Sequence, residues 1–177
     1  MQQGQALEFY LDQASEERLT RSMPTAPGGE SILDIGARPH ISLALFAPPV
    51  DEQTLVDVAN KLAGETTRFR LYLSAVAVFP GEEGAVYLAP SIVPELTAAH
   101  RLAHDLIARA HLHTDPLYQS DRWVPHCTMM MGVPDHLIGS QVDLLRRSGA
   151  FGWVDIASAG VIAYRPVVEI AQFDLAE

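Results

Sequence analysis

The chain has 177 residues, 48% hydrophobic and 19% charged, with a formal net charge of −10. That balance excludes a disordered chain, and the length suits one domain, or two intimate lobes, with a sizeable core. Twelve Lys and Arg scattered among twenty-two acidic residues also exclude the basic stripe with which proteins grip a long duplex nucleic acid. No apolar run approaches the roughly 20 residues that span a bilayer, so no membrane partner is expected. Met1-Gln2-Gln3-Gly4-Gln5 lacks the basic and apolar regions of a signal peptide. The single cysteine, Cys127, cannot form an internal disulfide, and these features together point to the cytoplasm.

In chain order, Ala6 to Leu11 reads as a strand, and Asp12 as the N-cap of a helix over 14–23. Residues 24–29 break that helix, and 31–37 lead into the strand 40–46. After Pro48-Pro49, the segment 51–63 spaces Leu55, Val58 and Leu62 at helical intervals. Residues 68–79 alternate as a long strand, 81–84 turn, and 85–89 form the returning arm of a hairpin. Ser91 or Pro94 opens a long helix to about Leu112, with Leu96, Leu102, Leu106 and Ile107 as much of its apolar content. A polar loop over 114–122 delivers a strand over 123–130. A helix from Pro134 to Arg147 follows, with Arg146 and Arg147 suited to its C-terminus. A hairpin of 151–165 and 168–175 ends the chain.

Two of these strands carry near copies of one motif, Pro39-His40-Ile41-Ser42 and Pro125-His126-Cys127-Thr128. Residues two apart on a strand share a face, so each histidine projects beside a hydroxyl, His40 with Ser42 and His126 with Thr128. An imidazole can move protons and a hydroxyl can donate to an oxygen, which suits chemistry on a phosphate. The motifs lie 86 positions apart (40 to 126), and the same offset relates Pro39 to Pro125 and Pro80 to Pro166. Strand-like runs precede and follow each of the latter prolines. A repeat this long predicts two copies of a half-domain. The expected fold is therefore α+β, with residues 1–177 as a single two-lobed domain of two antiparallel sheets flanked by helices. A pseudo-twofold would set the motifs across a central groove.

Other residues invite competing readings. His100, His104 and His111 fall near one helix face, but Arg101 stands where the zinc-protease pattern needs Glu, so no metal is expected there. Cys127 points away from His126 along the strand and is expected in the core. Met129 to Met131 read as filler. Trp123, Tyr10, Tyr87 and Tyr164 are the aromatics to inspect for base stacking, each with core or rim as its plainer role. The Gly28-Gly29 and 81–84 stretches lack the lysine and following helix of a phosphate-binding loop.

The paired Pro39-His40-Ile41-Ser42-Leu43 and Pro125-His126-Cys127-Thr128-Met129 motifs resemble those of the 2H (two-histidine) phosphoesterase superfamily, the LigT-like, 2′–5′ RNA ligase-related proteins. The resemblance extends from about Leu7 to Leu175. It implies cofactor-free and metal-independent chemistry on a phosphodiester, typically a 2′,3′-cyclic or 2′–5′ linkage in a small nucleotide or RNA end. By the same analogy His126 is the general base, His40 the general acid, and Ser42 and Thr128 hold the substrate phosphate. Some RNA-acting members follow the second motif with a basic residue, whereas here Met129-Met130-Met131-Gly132 follows. Ligation or processing of RNA ends is the alternative within enzymes. A non-catalytic nucleotide-binding module on the same fold is the alternative outside them.

Overall fold

Asp12 ends the first strand and starts the first helix: its carboxylate accepts a hydrogen bond from the Ser15 backbone N–H at 3.1 Å, capping the free amides of the first turn. The computed structural model describes residues 3–24, 28–81 and 84–177, so the predicted break at 24–29 and turn at 81–84 lie partly outside the described residues. The strand is β1 (Gly4–Leu11) and the helix α1 (Gln13–Arg21). Then come β2 (Glu30–Ser31), β3 (His40–Phe46) and α2 (Glu52–Glu65), which buries Leu55, Val58 and Leu62 as their spacing predicts, and Ala59 with them. The hairpin strands β4 (Phe69–Val78) and β5 (Val86–Pro90) lead to α3 (Pro94–Arg109). A 3-10 turn at Pro116–Tyr118 interrupts the polar loop before β6 (Cys127–Met131). The chain closes with α4 (Asp135–Arg147), β7 (Gly152–Tyr164) and β8 (Val168–Asp174).

Two boundaries differ from expectation. The long helix stops at Arg109, because His111 turns the chain with a φ of 56°. The second motif strand begins at Cys127, so His126 stands just before it, where Pro125 has no N–H to give a ladder. The short strand β2 was not expected; its two residues add to β6 opposite Met130 and Met131.

The sheets expected of the two halves are joined. β4 and β7 occupy equivalent places in the repeat and pair with each other, antiparallel, from Phe69↔Ile156 to Leu73↔Gly152. The result is one eight-stranded sheet in the order β2-β6-β5-β4-β7-β1-β3, with β8 also paired to β7. The motif strands thus lie toward opposite ends of the strand order, yet β3 and β6 touch, so the sheet curls to bring them together. Helices cover one face: α1 and α2 pack on β7, α3 on β3, and α4 on β4 and β5. The main core lies beneath them and includes Leu7, Phe9, Ile41, Leu43, Cys127 and Met129. On the other face a small cluster of Ala6 and Tyr10 from β1 and Ile162 from β7 lies beside the strand that carries the first motif. Gly160 makes room for it, since a Cβ there would come 2.6 Å from Tyr10 Cε2 and from the Ala171 carbonyl. Among the described residues no helix is long and apolar enough to cross a membrane.

Candidate active site

His40 and His126 are held by the same local device. Nδ1–H of His40 donates to the Arg38 carbonyl at 2.6 Å, and Nδ1–H of His126 donates to the Val124 carbonyl at 2.6 Å. In each case a proline separates ring from carbonyl. Its fixed φ, and the extended conformation it imposes on the residue before it, set that carbonyl under the imidazole. The bond also fixes the tautomer. A carbonyl only accepts, so Nδ1 carries the proton and Nε2 is left to exchange one.

Both strands bulge just beyond the hydroxyl. Glu8 pairs with Ser42 and Leu7 with Ala44, which leaves Leu43 unmatched; Tyr87 pairs with Thr128 and Val86 with Met130, which leaves Met129 unmatched. A bulge re-aims the side chains before it without losing the strand. Leu43 and Met129 are fully buried, as are Ile41 and Cys127 behind the histidines. His40 and Ser42 therefore share the uncovered face of β3, as His126 and Thr128 share that of β6. The rings are near enough for His40 to weigh on the protonation of His126. Burial holds His126 below the ordinary histidine value, and His40 adds to that against the pull of the Val124 bond.

The surroundings of the two rings differ. Beside His126 stand Phe79, edge-on at 4.8 Å between ring centroids, and Tyr87 at 5.3 Å, the two aromatics stacked on each other at 4.3 Å. Beside His40 stands a carboxylate: Glu8 Oε1 lies 3.3 Å from His40 Nε2, and Ser42 Oγ donates to it at 3.5 Å. Tyr118, from the 3-10 turn, sits close enough to Glu8 and Ser42 to feel both; burial pushes its hydroxyl well up. Neither Glu8 nor Tyr118 stands out by motif. The available signal for Glu8 was a lone charge inside the apolar run Ala6-Leu7-Glu8-Phe9-Tyr10-Leu11, since charges are seldom buried unpaired.

The remaining candidates have structural places. Cys127 lies in the core with its thiol pushed up to about 12 by burial, which makes it unreactive. Trp123 stacks on His100 at 3.8 Å and donates Nε1–H to the Ser42 carbonyl at 3.0 Å. His100 donates Nε2–H to the Tyr118 carbonyl at 3.1 Å, and His104 donates Nε2–H to the Leu43 carbonyl at 3.2 Å. Thr114 bonds the Leu45 carbonyl at 2.9 Å. His100 is thus bonded to the 3-10 turn and His104 to β3, while His111 lies beyond the end of α3, and among the described residues no group of three His, Cys, Asp or Glu is placed to hold a metal ion. Tyr10 is buried under the Arg38 guanidinium, 3.7 Å from its ring centroid, and Tyr164 is half-buried. The half-buried Phe79 replaces both as the aromatic wall of the site.

Solved structures share this architecture from end to end. E. coli LigT complexed with 3′-AMP superposes with a TM-score of 0.62 at 15% identity, over 99% of this chain and 98% of that one. The Thermus thermophilus protein TT0787 gives 0.63 at 15% identity, over 97% of each chain. Kluyveromyces marxianus Usb1 gives 0.51 at 13% identity, over 99% and 97%. A search of curated proteins finds no match. A family model described as the 2′-5′ RNA ligase superfamily matches residues 34–149, a span that takes in both histidine motifs and more than half of the chain. The duplicated motif strands and the sequence match lead to one place: the chain belongs to the 2′-5′ RNA ligase superfamily, the two-histidine phosphoesterases.

Proposed function

We propose that the protein is a phosphoesterase that opens a 2′,3′-cyclic or 2′–5′ phosphodiester in a small nucleotide or at an RNA end, in the cytoplasm and without a metal. The observation that carries this reading is the matched pair of imidazoles. Each is tied through Nδ1 to a carbonyl two residues back, which leaves Nε2 as the nitrogen for proton transfer, with a hydroxyl two residues on. In the forward reaction His126 takes a proton from water as the oxygen bonds to phosphorus. His40 gives a proton to the departing ribose oxygen as the P–O bond breaks. Ser42 and Thr128 donate to the non-bridging oxygens, where negative charge grows in the transition state. Run in reverse, the same pair joins ends with the two roles exchanged, which accords with the name of the family.

The test is turnover of 2′,3′-cyclic nucleotides and of short cyclic-ended or 2′–5′-linked oligonucleotides in the presence of EDTA. Product should form regardless of the chelator, and His40→Ala or His126→Ala should each lower kcat by about 100-fold or more in a folded protein. Activity indifferent to both substitutions overturns the assignment. Binding that survives loss of both rings, with no product from the wild type, would make the protein a nucleotide-binding module instead.

A further inference from the structure

Glu8 lies near the middle of β1 with 2% of its surface exposed, in a strand whose other residues are all buried. Nothing in the packing of the sheet calls for a charge there, and its partners belong to the site. Oε1 meets Nε2 of His40 at 3.3 Å and Oγ of Ser42 at 3.5 Å. Because Nδ1–H of His40 is already donated to the Arg38 carbonyl at 2.6 Å, the contact between Nε2 and Oε1 has to be bridged by one proton, borne by one atom or the other.

Among the described residues, no carboxylate is paired with the His126 ring as Glu8 is with that of His40. Tyr87 stands opposite Thr128 as Glu8 stands opposite Ser42. The tether, the hydroxyl and the bulge are duplicated; the neighbour of the imidazole is not. His40 has a carboxyl group beside it, and His126 has the aromatic rings of Tyr87 and Phe79.

We infer that Glu8 is a positioning residue that keeps the shared proton on Nε2 of His40 in the free enzyme, so that the first histidine enters the reaction as the acid and the second as the base. The catalytic half of this rests on the phosphodiester chemistry proposed above; the placement of the proton does not. The other charged or titratable groups facing Glu8 are Arg38 from the segment before β3, Tyr10 on β1, Tyr118 in the 3-10 turn and Cys127 on β6. Burial holds the Glu8 carboxyl above the ordinary carboxylate range, and the charges of His40 and Arg38 oppose that without cancelling it. The Arg38 charge is shared with Glu16 at 3.6 Å and Glu169 at 3.0 Å, which leaves His40 as the nearer source of compensation. A buried carboxylate and an imidazolium in contact favour each other's charged form.

The proton then follows a closed path. As water adds to phosphorus, its proton goes to Nε2 of His126. The electron pair of the breaking P–O bond stays with the ribose oxygen, which takes the proton from Nε2 of His40. Solvent removes the proton from His126 and returns one to His40, where Glu8 attracts it.

Two measurements decide the matter. The first is the nitrogen chemical shift of the His40 ring in the wild type and in Glu8→Gln, at neutral pH and without ligand. Nε2 should carry a proton in the wild type and be bare in the variant. A bare Nε2 in the wild type overturns the inference, even if Glu8→Gln does not fold, and so does an equally protonated ring in both proteins. The second is the pH profile of turnover. Glu8→Gln should lower kcat by about 10-fold or more with KM unchanged or reduced, and should move the alkaline limb to lower pH while leaving the acid limb in place. A uniform loss with both limbs unmoved would mark Glu8 as structural only. A wild type without turnover on any phosphodiester would refute the proposed function, and the ring measurement would still decide where the proton is.

Discussion

Leu43 and Met129 occupy one place twice: each is the unmatched residue of a bulge, three positions after a site histidine, with its side chain fully buried. Removal of a large buried side chain costs its transfer energy and leaves a cavity. Leu43→Ala or Met129→Ala should therefore lower unfolding stability by about 2–5 kcal/mol, read as a shift of the urea midpoint. A loss below about 1 kcal/mol in both would show that these residues do not anchor the two motif strands.

The hydroxyls should matter to the chemistry and not to the fold. Ser42→Ala and Thr128→Val each remove one donor from the face where the phosphate would lie, and should lower kcat by about 100-fold with little change in KM. A change in KM alone would assign them to ground-state binding.

Trp123 links the loop before β6 to the Ser42 carbonyl. Trp123→Phe keeps a ring over His100 and removes only the Nε1–H bond at 3.0 Å. Stability should fall by about 1 kcal/mol, and turnover should fall with it if this brace sets the position of Ser42. Full activity in the variant would separate the brace from the chemistry.

Phe79 and Tyr87 pack around His126, whose ring burial holds below the ordinary histidine value. A base with its proton affinity lowered stays bare to lower pH, so the acid limb of kcat/KM should fall below about pH 6.5. Phe79→Ala admits water to the ring and should move that limb upward. An acid limb unaffected by Phe79→Ala would show that the wall does not tune the base.

His100 makes stability depend on pH. Burial first, and the neighbouring His104 second, lower its value to about 4. Below the unfolded value of about 6.5 the unfolded chain gains a proton that the folded ring refuses until about pH 4. Stability is thus full above that window and declines as pH falls through it, by about 3 kcal/mol from this ring. Urea midpoints across the window should show the decline, and His100→Phe, which keeps a ring against Trp123, should flatten it. An unchanged slope would place the acid sensitivity elsewhere.

The candidate site was legible in the sequence where chemistry and spacing coincide. His40 with Ser42 and His126 with Thr128 fall on shared faces because a strand alternates, and the prolines before them mark the repeat. The capping role of Asp12 and the buried face of α2 follow from local rules in the same way. What sequence could not show depends on pairing between distant strands. The β4–β7 ladder that merges the two lobes into one sheet joins segments whose own alternation is satisfied by any antiparallel neighbour. Glu8 gains its meaning only when β1 is set against β3 in a register that matches it with Ser42. The bulges at Leu43 and Met129 are likewise invisible in composition, since leucine and methionine would suit an ordinary core position.

The bracing of β3 has a consequence beyond the reaction. β3 ends the strand order, and an exposed rim of unpaired carbonyls would be a template for another chain to add a strand. Trp123, His104 and Thr114 bond the carbonyls of Ser42, Leu43 and Leu45. The strand that carries His40 can thus keep one face uncovered without inviting edge-to-edge aggregation along its side.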